Sequence, residues 1–184
     1  MKKIMFNDKY GLTEAVLAGS KTMTRRIVPD GTPLGNWEET EKMSRFKIGE
    51  VVAVAQSYKD TGNYPESYII DEFHPNIEFE AGWNNKMFVS ADLMPHQIRI
   101  TNVRVERLQD ISDEDCFKEG IYLDETAPSC YQPFYTFKES QEHGTPVGYQ
   151  TAREAFAALI YKVSGKGTWQ SNPLVFVYEF ELIK

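Results

Sequence analysis

An amine and two hydroxyls lie close together in residues 21–26, whose sequence is Lys-Thr-Met-Thr-Arg-Arg. A lysine amine beside a hydroxyl can activate that hydroxyl as a nucleophile. The lysine must then be at least partly neutral, which burial or a second cation such as Arg26 would promote. The same residues also fit an ordinary strand with a solvated basic edge. Lys21 and Thr24 are therefore candidate catalytic residues that need a third group to support them.

Glu119 is the candidate for that third group. It stands at the end of a predicted helix over residues 112–120, which Ser112 caps and Gly120 terminates. A carboxylate is electrostatically disfavoured at a helix C-terminus. Glu119 should therefore have a basic partner or a catalytic role, unless it is simply exposed. The acidic residues 113–115 lie in the first turn, where the helix dipole favours them, and we interpret them as capping and solvation.

Trp169 precedes the predicted final strand, and it could stack on a base or close the end of the core. The aromatic residues between positions 58 and 88 raise the same question. For most of them we favour the core interpretation.

The elements that must position these side chains are short. Hydrophobic periodicity and turn residues predict helices over 12–18, 112–120 and 151–163, and strands over 1–6, 21–27, 51–55, 98–108 and 174–182. Along 98–108, alternation places Ile98, Ile100, Asn102 and Arg104 on one face. Residues 28–43 and 123–150 are predicted loops, and two further strands are expected near 67–70 and 86–90. Many short strands around few helices predict an α+β fold, a mixed β-barrel, in a single domain over 1–184.

Composition narrows the range of functions that this chain can have. The net charge is -7, so the chain would repel a long polyanion on average, whereas a small ligand or a locally basic groove remains allowed. We expect no membrane span, no secretory signal and a cytoplasmic location. Cys116 and Cys130 are predicted free thiols, and the three histidines (74, 96 and 143) are scattered, so we predict no metal and no cofactor.

Four stretches, residues 17–26, 46–51, 111–120 and 172–180, together resemble the ASCH family, whose fold is PUA-like. They occur in the family's order and cover roughly half of the chain. Residues 58–95 and 123–150 look like insertions into that smaller core. The resemblance implies a PUA-like barrel.

Within the family, the signature Gly19, Lys21 and Arg26 with a threonine at position 24 is similar to the bacterial acetylcytidine amidohydrolases. This similarity implies Thr24 as the nucleophile, Lys21 as its activator and Glu119 as proton carrier or lysine partner. The residues expected around the ligand are Gly19, Thr22, Arg25, Arg26 and Trp169. The chain is longer than the minimal hydrolases, and Arg25 stands where they usually have an apolar residue.

Three functions follow as hypotheses, of which the third is a protein-interaction domain whose contact surface is formed by the aromatic insertions. The first is an amidohydrolase that acts on a small modified nucleoside. The second is an RNA- or modified-base-binding module without chemistry. The second would use a basic groove formed by Lys21, Arg25, Arg26, Arg99, Arg104 and Arg107. The sequence predicts no oligomeric state.

Overall fold

The computed structural model describes residues 1–68, 77–125, 134–138 and 147–183. The strands in these ranges are β1 (Lys2–Ile4), β2 (Met23–Ile27), β3 (Val51–Val54), β4 (Gln97–Arg107), β5 (Tyr122–Asp124), β6 (Phe134–Thr136) and β7 (Leu174–Leu182). Five of them form one sheet in the order β1-β3-β4-β7-β2. β1 and β3 are parallel, and the other neighbours are antiparallel. The fold is therefore α+β with a mixed sheet, as predicted.

The helices are α1 (Leu12–Leu17), α2 (Trp37–Lys42), α3 (Tyr58–Thr61), α4 (Asp113–Lys118), α5 (Ala152–Ser164) and α6 (Thr168–Ser171). The predicted helices correspond to α1, α4 and α5, and Ser112 caps α4 through the Asp115 amide. None of the helices in the described ranges is long and apolar enough to cross a bilayer.

Three local predictions are wrong. Residues 28–43 contain α2, which Asn36 caps. The expected strand at 86–90 is instead a 3₁₀ turn at Lys86–Phe88. The second predicted loop, 123–150, contributes to a small antiparallel sheet of β5 and β6. The strand expected at 67–70 extends beyond the described residues.

The two faces of β4 also differ from the prediction. The pairing of β4 with β7 shifts between Ile100 and Asn102. An extra residue at such an irregularity moves every later side chain to the opposite face. Val103 is consequently buried like Ile98 and Ile100, whereas Asn102 is exposed and Arg104 lies on the other face.

The sheet is not closed into a barrel, which corrects the predicted closure. β1 and β2 are the edge strands of the sheet order. The Arg26 side chain approaches the chain just after β1, where its Nη2 donates to the Met5 carbonyl at 2.6 Å. A side chain thus connects the two edges where a barrel would have a ladder, because β1 has only three residues to pair. We call the cavity lined by residues of both edges the edge cleft; its lining is given below.

Two clusters of apolar side chains form the core. The larger one joins the sheet to α1, α4 and α5. The smaller one packs Tyr58 against β3, with Tyr64, Tyr68 and Trp83 around it. These four aromatic residues confirm the core interpretation, whereas Phe79 and Phe88 are exposed.

Cys116 in α4 is fully buried, and this burial raises the pKa of its thiol to about 12 from 9.0. Between these values the unfolded chain loses the proton and the folded chain keeps it, so stability falls as pH rises. We expect the free energy of unfolding to drop about 1.4 kcal/mol more between pH 8 and pH 10 in the wild type than in Cys116→Ala. Urea unfolding at both pH values measures this difference, and equal losses would contradict it. Cys130 lies outside the described residues.

Candidate functional site

Lys21 and Glu119 meet in the structure although 98 residues separate them. The Lys21 Nζ donates to Glu119 Oε2 at 2.6 Å and to the Glu119 main-chain oxygen at 2.7 Å. The two residues are only 2% and 4% exposed. The lysine therefore satisfies both the acid and a carbonyl at the end of α4, and this explains why a carboxylate is stable there.

Local structure delivers the two groups to one point. Gly19, at φ +74°, ends α1 and turns the chain so that the Lys21 amide donates to the Ala15 carbonyl. Gly120, at φ +103°, ends α4 directly after Glu119. Thr22 fixes the alignment, because its amide donates to the Lys118 carbonyl and its own carbonyl accepts from Phe180. The positions of Gly19 and Thr22 thus align β2 with α4.

Burial lowers the pKa of the Lys21 amine, and the neighbouring cations Arg26 and Arg25 lower it further. The charge and the hydrogen bond of Glu119 oppose this effect. A lysine with a lowered pKa is neutral in a larger fraction of molecules near pH 7, and only the neutral amine can accept a proton. This environment matches the one that the activation of a hydroxyl requires.

Arg25 binds acidic residues of the protein, whereas the sequence placed it around a ligand. Its Nη1 donates to Glu119 Oε1 at 3.1 Å. Its Nε and Nη2 donate to Glu106 Oε1 at 3.0 and 2.6 Å, and Nη2 also donates to Asp115 Oδ2 at 2.9 Å. All three guanidinium nitrogens are thus occupied. Arg25 holds the carboxylate of Glu119 against Lys21.

Arg104 extends this network of charges across the sheet. Its Nη2 donates to Asp115 Oδ2 at 2.5 Å and its Nε donates to Glu106 Oε2 at 3.1 Å. A third contact joins it to Glu179. The interpretation of Asp115 as a solvated capping residue is therefore incomplete, because its side chain is largely buried between two arginines.

Thr24 is 4% exposed, and its hydroxyl makes no hydrogen bond to the described part of the chain. In the register of β2 with β7, Thr24 faces Tyr178 whereas Arg25 faces Val177. Successive side chains of a strand point to opposite faces, so Arg25 reaches Glu119 from the face opposite Thr24. The structure therefore brings Lys21 and Glu119 together. The Thr24 hydroxyl, three residues after Lys21 in sequence, has no hydrogen bond to either residue.

The edge cleft has a volume of about 340 Å³. Its lining consists of Lys3, Ile4, Met5, Arg26, Ile27, Pro29, Met43, Arg45, Phe46, Phe176 and Tyr178. Among the predicted site residues, Arg26 belongs to this lining. Arg26 and Lys21 both lie near the ring of Phe6, with Arg26 Cζ and Lys21 Nζ at 5.8 and 5.9 Å from its centroid. Phe6 therefore links the buried pair to the cleft.

Trp169 does not join these residues. It packs edge-on against Phe156 at 6.1 Å and lies under the Arg153 guanidinium at 5.2 Å. Trp169 precedes the start of β7, where the Leu174 carbonyl accepts from the Val28 amide. Lys21 lies near Phe180, about 20 Å further along β7. This packing supports the interpretation that Trp169 closes the end of the core.

The sequence interpretation missed several cleft residues, chiefly Lys3, Arg45, Phe46 and Tyr178. Phe46 and Tyr178 lie inside stretches that carry the family resemblance, so their aromatic character was an available signal. Arg45 and Lys3 gave no local signal, because they approach each other only when β1 and the turn before β3 are in place.

The described ranges contain no cluster of three or more histidine, cysteine or acidic side chains arranged to hold a metal ion. His96 hydrogen-bonds Gln56 at 2.6 Å through Nδ1. His74 and His143 lie outside the described residues.

Comparison with known proteins gave no matching family model and no similar curated protein. Among solved structures, a protein from Enterococcus faecalis, described by the family model DUF984, is similar at 14% identity with a TM-score of 0.44. The match covers 100% of this chain and 80% of that chain. An ASCH domain from Lactobacillus crispatus is similar at 12% identity with a TM-score of 0.37, over 96% of this chain and 75% of that chain. Because both identities are below 25% and both TM-scores below 0.5, the ASCH resemblance continues to rest on the sequence motifs.

Proposed function

We propose that this chain is a nucleoside-handling protein of the ASCH type and that it hydrolyses an acyl amide on a modified cytidine. The observation that carries the proposal is the buried contact of 2.6 Å between Lys21 and Glu119. An amine and an acid that share a proton in a dry environment can take a proton from a nucleophile and return one to a leaving amine.

The proposed reaction has two steps. The Thr24 hydroxyl attacks the acyl carbon, its proton passes to Lys21, and the cytosine amine leaves with a proton from the Lys21–Glu119 pair. Water then hydrolyses the threonine ester and releases the carboxylic acid. In the free protein the hydroxyl is unbonded, so substrate binding must bring it within hydrogen-bond reach of the lysine, which catalytic groups often achieve only in the complex.

Incubation of the purified protein with N4-acetylcytidine tests this proposal, with chromatographic detection of cytidine. We expect release by the wild type, partial retention in Thr24→Ser and a loss of at least about 100-fold in Thr24→Ala, because only the serine keeps a nucleophile. Thr101→Ala, at an exposed position of β4, is the matched control and should be unaffected. Equal release by wild type and Thr24→Ala would refute the assigned nucleophile.

Binding of a modified base without chemistry is the second candidate. Two observations favour it: the Thr24 hydroxyl has no hydrogen bond, and the lining of the edge cleft contains none of the three predicted catalytic residues. Calorimetry separates the two functions, since acetylcytidine that binds but is never cleaved would establish the second and exclude the first.

The basic groove of an RNA-binding module receives less support from the contacts. Of its six expected cations, Lys21, Arg25, Arg99 and Arg104 are paired with acidic side chains. Paired cations contribute little to the neutralisation of phosphates along a strand.

A further inference from the structure

The edge cleft is strongly basic in a chain that is acidic overall. Lys3, Arg26 and Arg45 line it, and its described lining includes no aspartate or glutamate. The whole chain carries a net charge of -7. A concentration of one sign of charge in a cavity with apolar walls focuses the potential and attracts a counter-ion of small size.

The Arg45 guanidinium is the free cation of this group. Its Cζ lies 5.3 Å from the centroid of Phe46, and the residue meets Tyr178 and Lys2 through its main chain. Within the described part of the chain, the guanidinium forms no hydrogen bond or ion pair. Its donors are therefore available to a ligand in the cleft.

The other two cations keep their positions without using acids. Lys3 Nζ donates to the carbonyls of Met87 and Val89 at 2.7 and 2.6 Å, and Arg26 donates to the Met5 carbonyl. Burial and, after it, the charge of Arg45 lower the pKa of Lys3. Like charges that are held together in this way raise the free energy of the empty site, and a bound anion would remove the repulsion.

Aromatic rings form the buried floor of the cleft, where Phe46, Phe176 and Tyr178 are only 2%, 3% and 1% exposed. Phe46 meets Tyr178 edge to face at 5.3 Å, and Phe176 lies 6.2 Å from Tyr178. Ile27 and Met43 are exposed apolar side chains in the same lining. Because the rings below them are buried, these two side chains are the apolar wall that the flat face of a base would contact, and apolar walls beside a few polar groups are typical of small-ligand sites.

We infer that the edge cleft binds an anion joined to a planar ring, and that its ligand is a nucleoside 5′-monophosphate, with the phosphate on Arg45 and the base against the exposed apolar side chains of Ile27 and Met43. This inference rests on the proposed function for the nucleoside part of the ligand. The phosphate part rests on the charges of the cleft alone. A volume of about 340 Å³ is at the lower end of the range for small-ligand sites, which suits one nucleotide better than a strand.

The test is calorimetric titration with the four ribonucleoside 5′-monophosphates, the four nucleosides and inorganic phosphate. We expect one or more monophosphates to bind at least about tenfold more tightly than the matching nucleoside, and this preference to shrink at high salt. Arg45→Gln should remove the preference while leaving nucleoside affinity unchanged. Arg99→Gln replaces another exposed arginine, one that pairs with Glu181, and should change neither affinity.

Every other result of these titrations contradicts one specific part of the inference. Equal affinity for nucleosides and monophosphates refutes the phosphate site while the proposed nucleoside handling stands. Inorganic phosphate that binds as tightly as the monophosphates refutes the role of the ring. Tight binding of an RNA oligomer in the absence of monophosphate binding assigns the cleft to a polymer instead. Monophosphate binding without hydrolysis of acetylcytidine refutes the proposed reaction alone. No binding of any of these ligands refutes the nucleotide site, while release of cytidine from acetylcytidine would leave the proposed reaction standing.

Discussion

Replacing Glu119 with glutamine should destabilise the fold by about 3–5 kcal/mol, the usual range when one partner of a buried ion pair is removed. Lys21 would then either hold an uncompensated positive charge in a dry environment or lose its proton, and its remaining partners would be a neutral amide and a carbonyl. Arg25 would lose one of its three acids but keep Glu106 and Asp115. The Lys21 amine loses most, because it is only 2% exposed and bulk solvent cannot replace the carboxylate.

Urea unfolding at pH 7 measures the change, and Glu114→Gln on the same helix is the matched control. Glu114 pairs with Lys118 one turn away, at the surface. Exposed pairs contribute little to stability, so this variant should unfold close to the wild type. Glu119→Gln that unfolded at the same urea concentration as Glu114→Gln would show that the buried pair is not formed.

A double-mutant cycle extends the same test. Lys21→Met removes the buried amine, so adding it to Glu119→Gln should cost less than the sum of the two single changes. A strictly additive result would mean that the amine and the acid do not interact.

Local signals were sufficient for the elements that carry this pair. Gly19 and Gly120 mark the ends of their helices, and the position of Glu119 at a helix C-terminus predicts a basic partner or a catalytic role unless the side chain is exposed. Which cation would meet it depended on the alignment of β2 with α4, which hydrogen bonds of Thr22 determine. That alignment is a long-range property, and no local pattern contains it.

Local sequence patterns also could not assign residues to the two faces of the sheet. Alternation correctly separated Thr24 from Arg25, yet it could not tell which face the acidic residues occupy. The irregularity between Ile100 and Asn102 moves Arg104 to the face of Arg25, and a strand pattern read residue by residue cannot locate it. Arg25 was therefore placed around a ligand when it belongs to the protein's own charge network.

Closure of the sheet was predicted from the number of short strands and from the family resemblance. Whether a sheet closes depends on pairing between its first and last strands, here β1 and β2. β1 has three residues, and an edge arginine at position 26 spans the remaining gap by its side chain. Both features leave the cleft that strand counting could not anticipate.

Arg25→Met is expected to destabilise the fold by about 4 kcal/mol, for the opposite reason to Glu119→Gln. The methionine fills much of the same volume, so the main loss is one positive charge among Glu106, Asp115 and Glu119. Arg104 still reaches the first two acids, whereas Glu119 keeps only Lys21. Unfolding in urea at pH 7 measures this loss.

Arg25→Lys separates charge from geometry at the same position. A lysine restores the charge but presents one nitrogen where the arginine fork reaches three carboxylates, so it should recover only a minor part of the loss. Arg99→Met, which breaks an exposed pair with Glu181, supplies the control for removing an arginine from the sheet and should change stability little. Full recovery by lysine would mean that net charge alone stabilises this face. A loss no greater than that of Arg99→Met would mean that the three acids do not depend on Arg25. The expected pattern, a large loss with little recovery, would show that the guanidinium fork of Arg25 is needed to hold the three acids together, Glu119 among them.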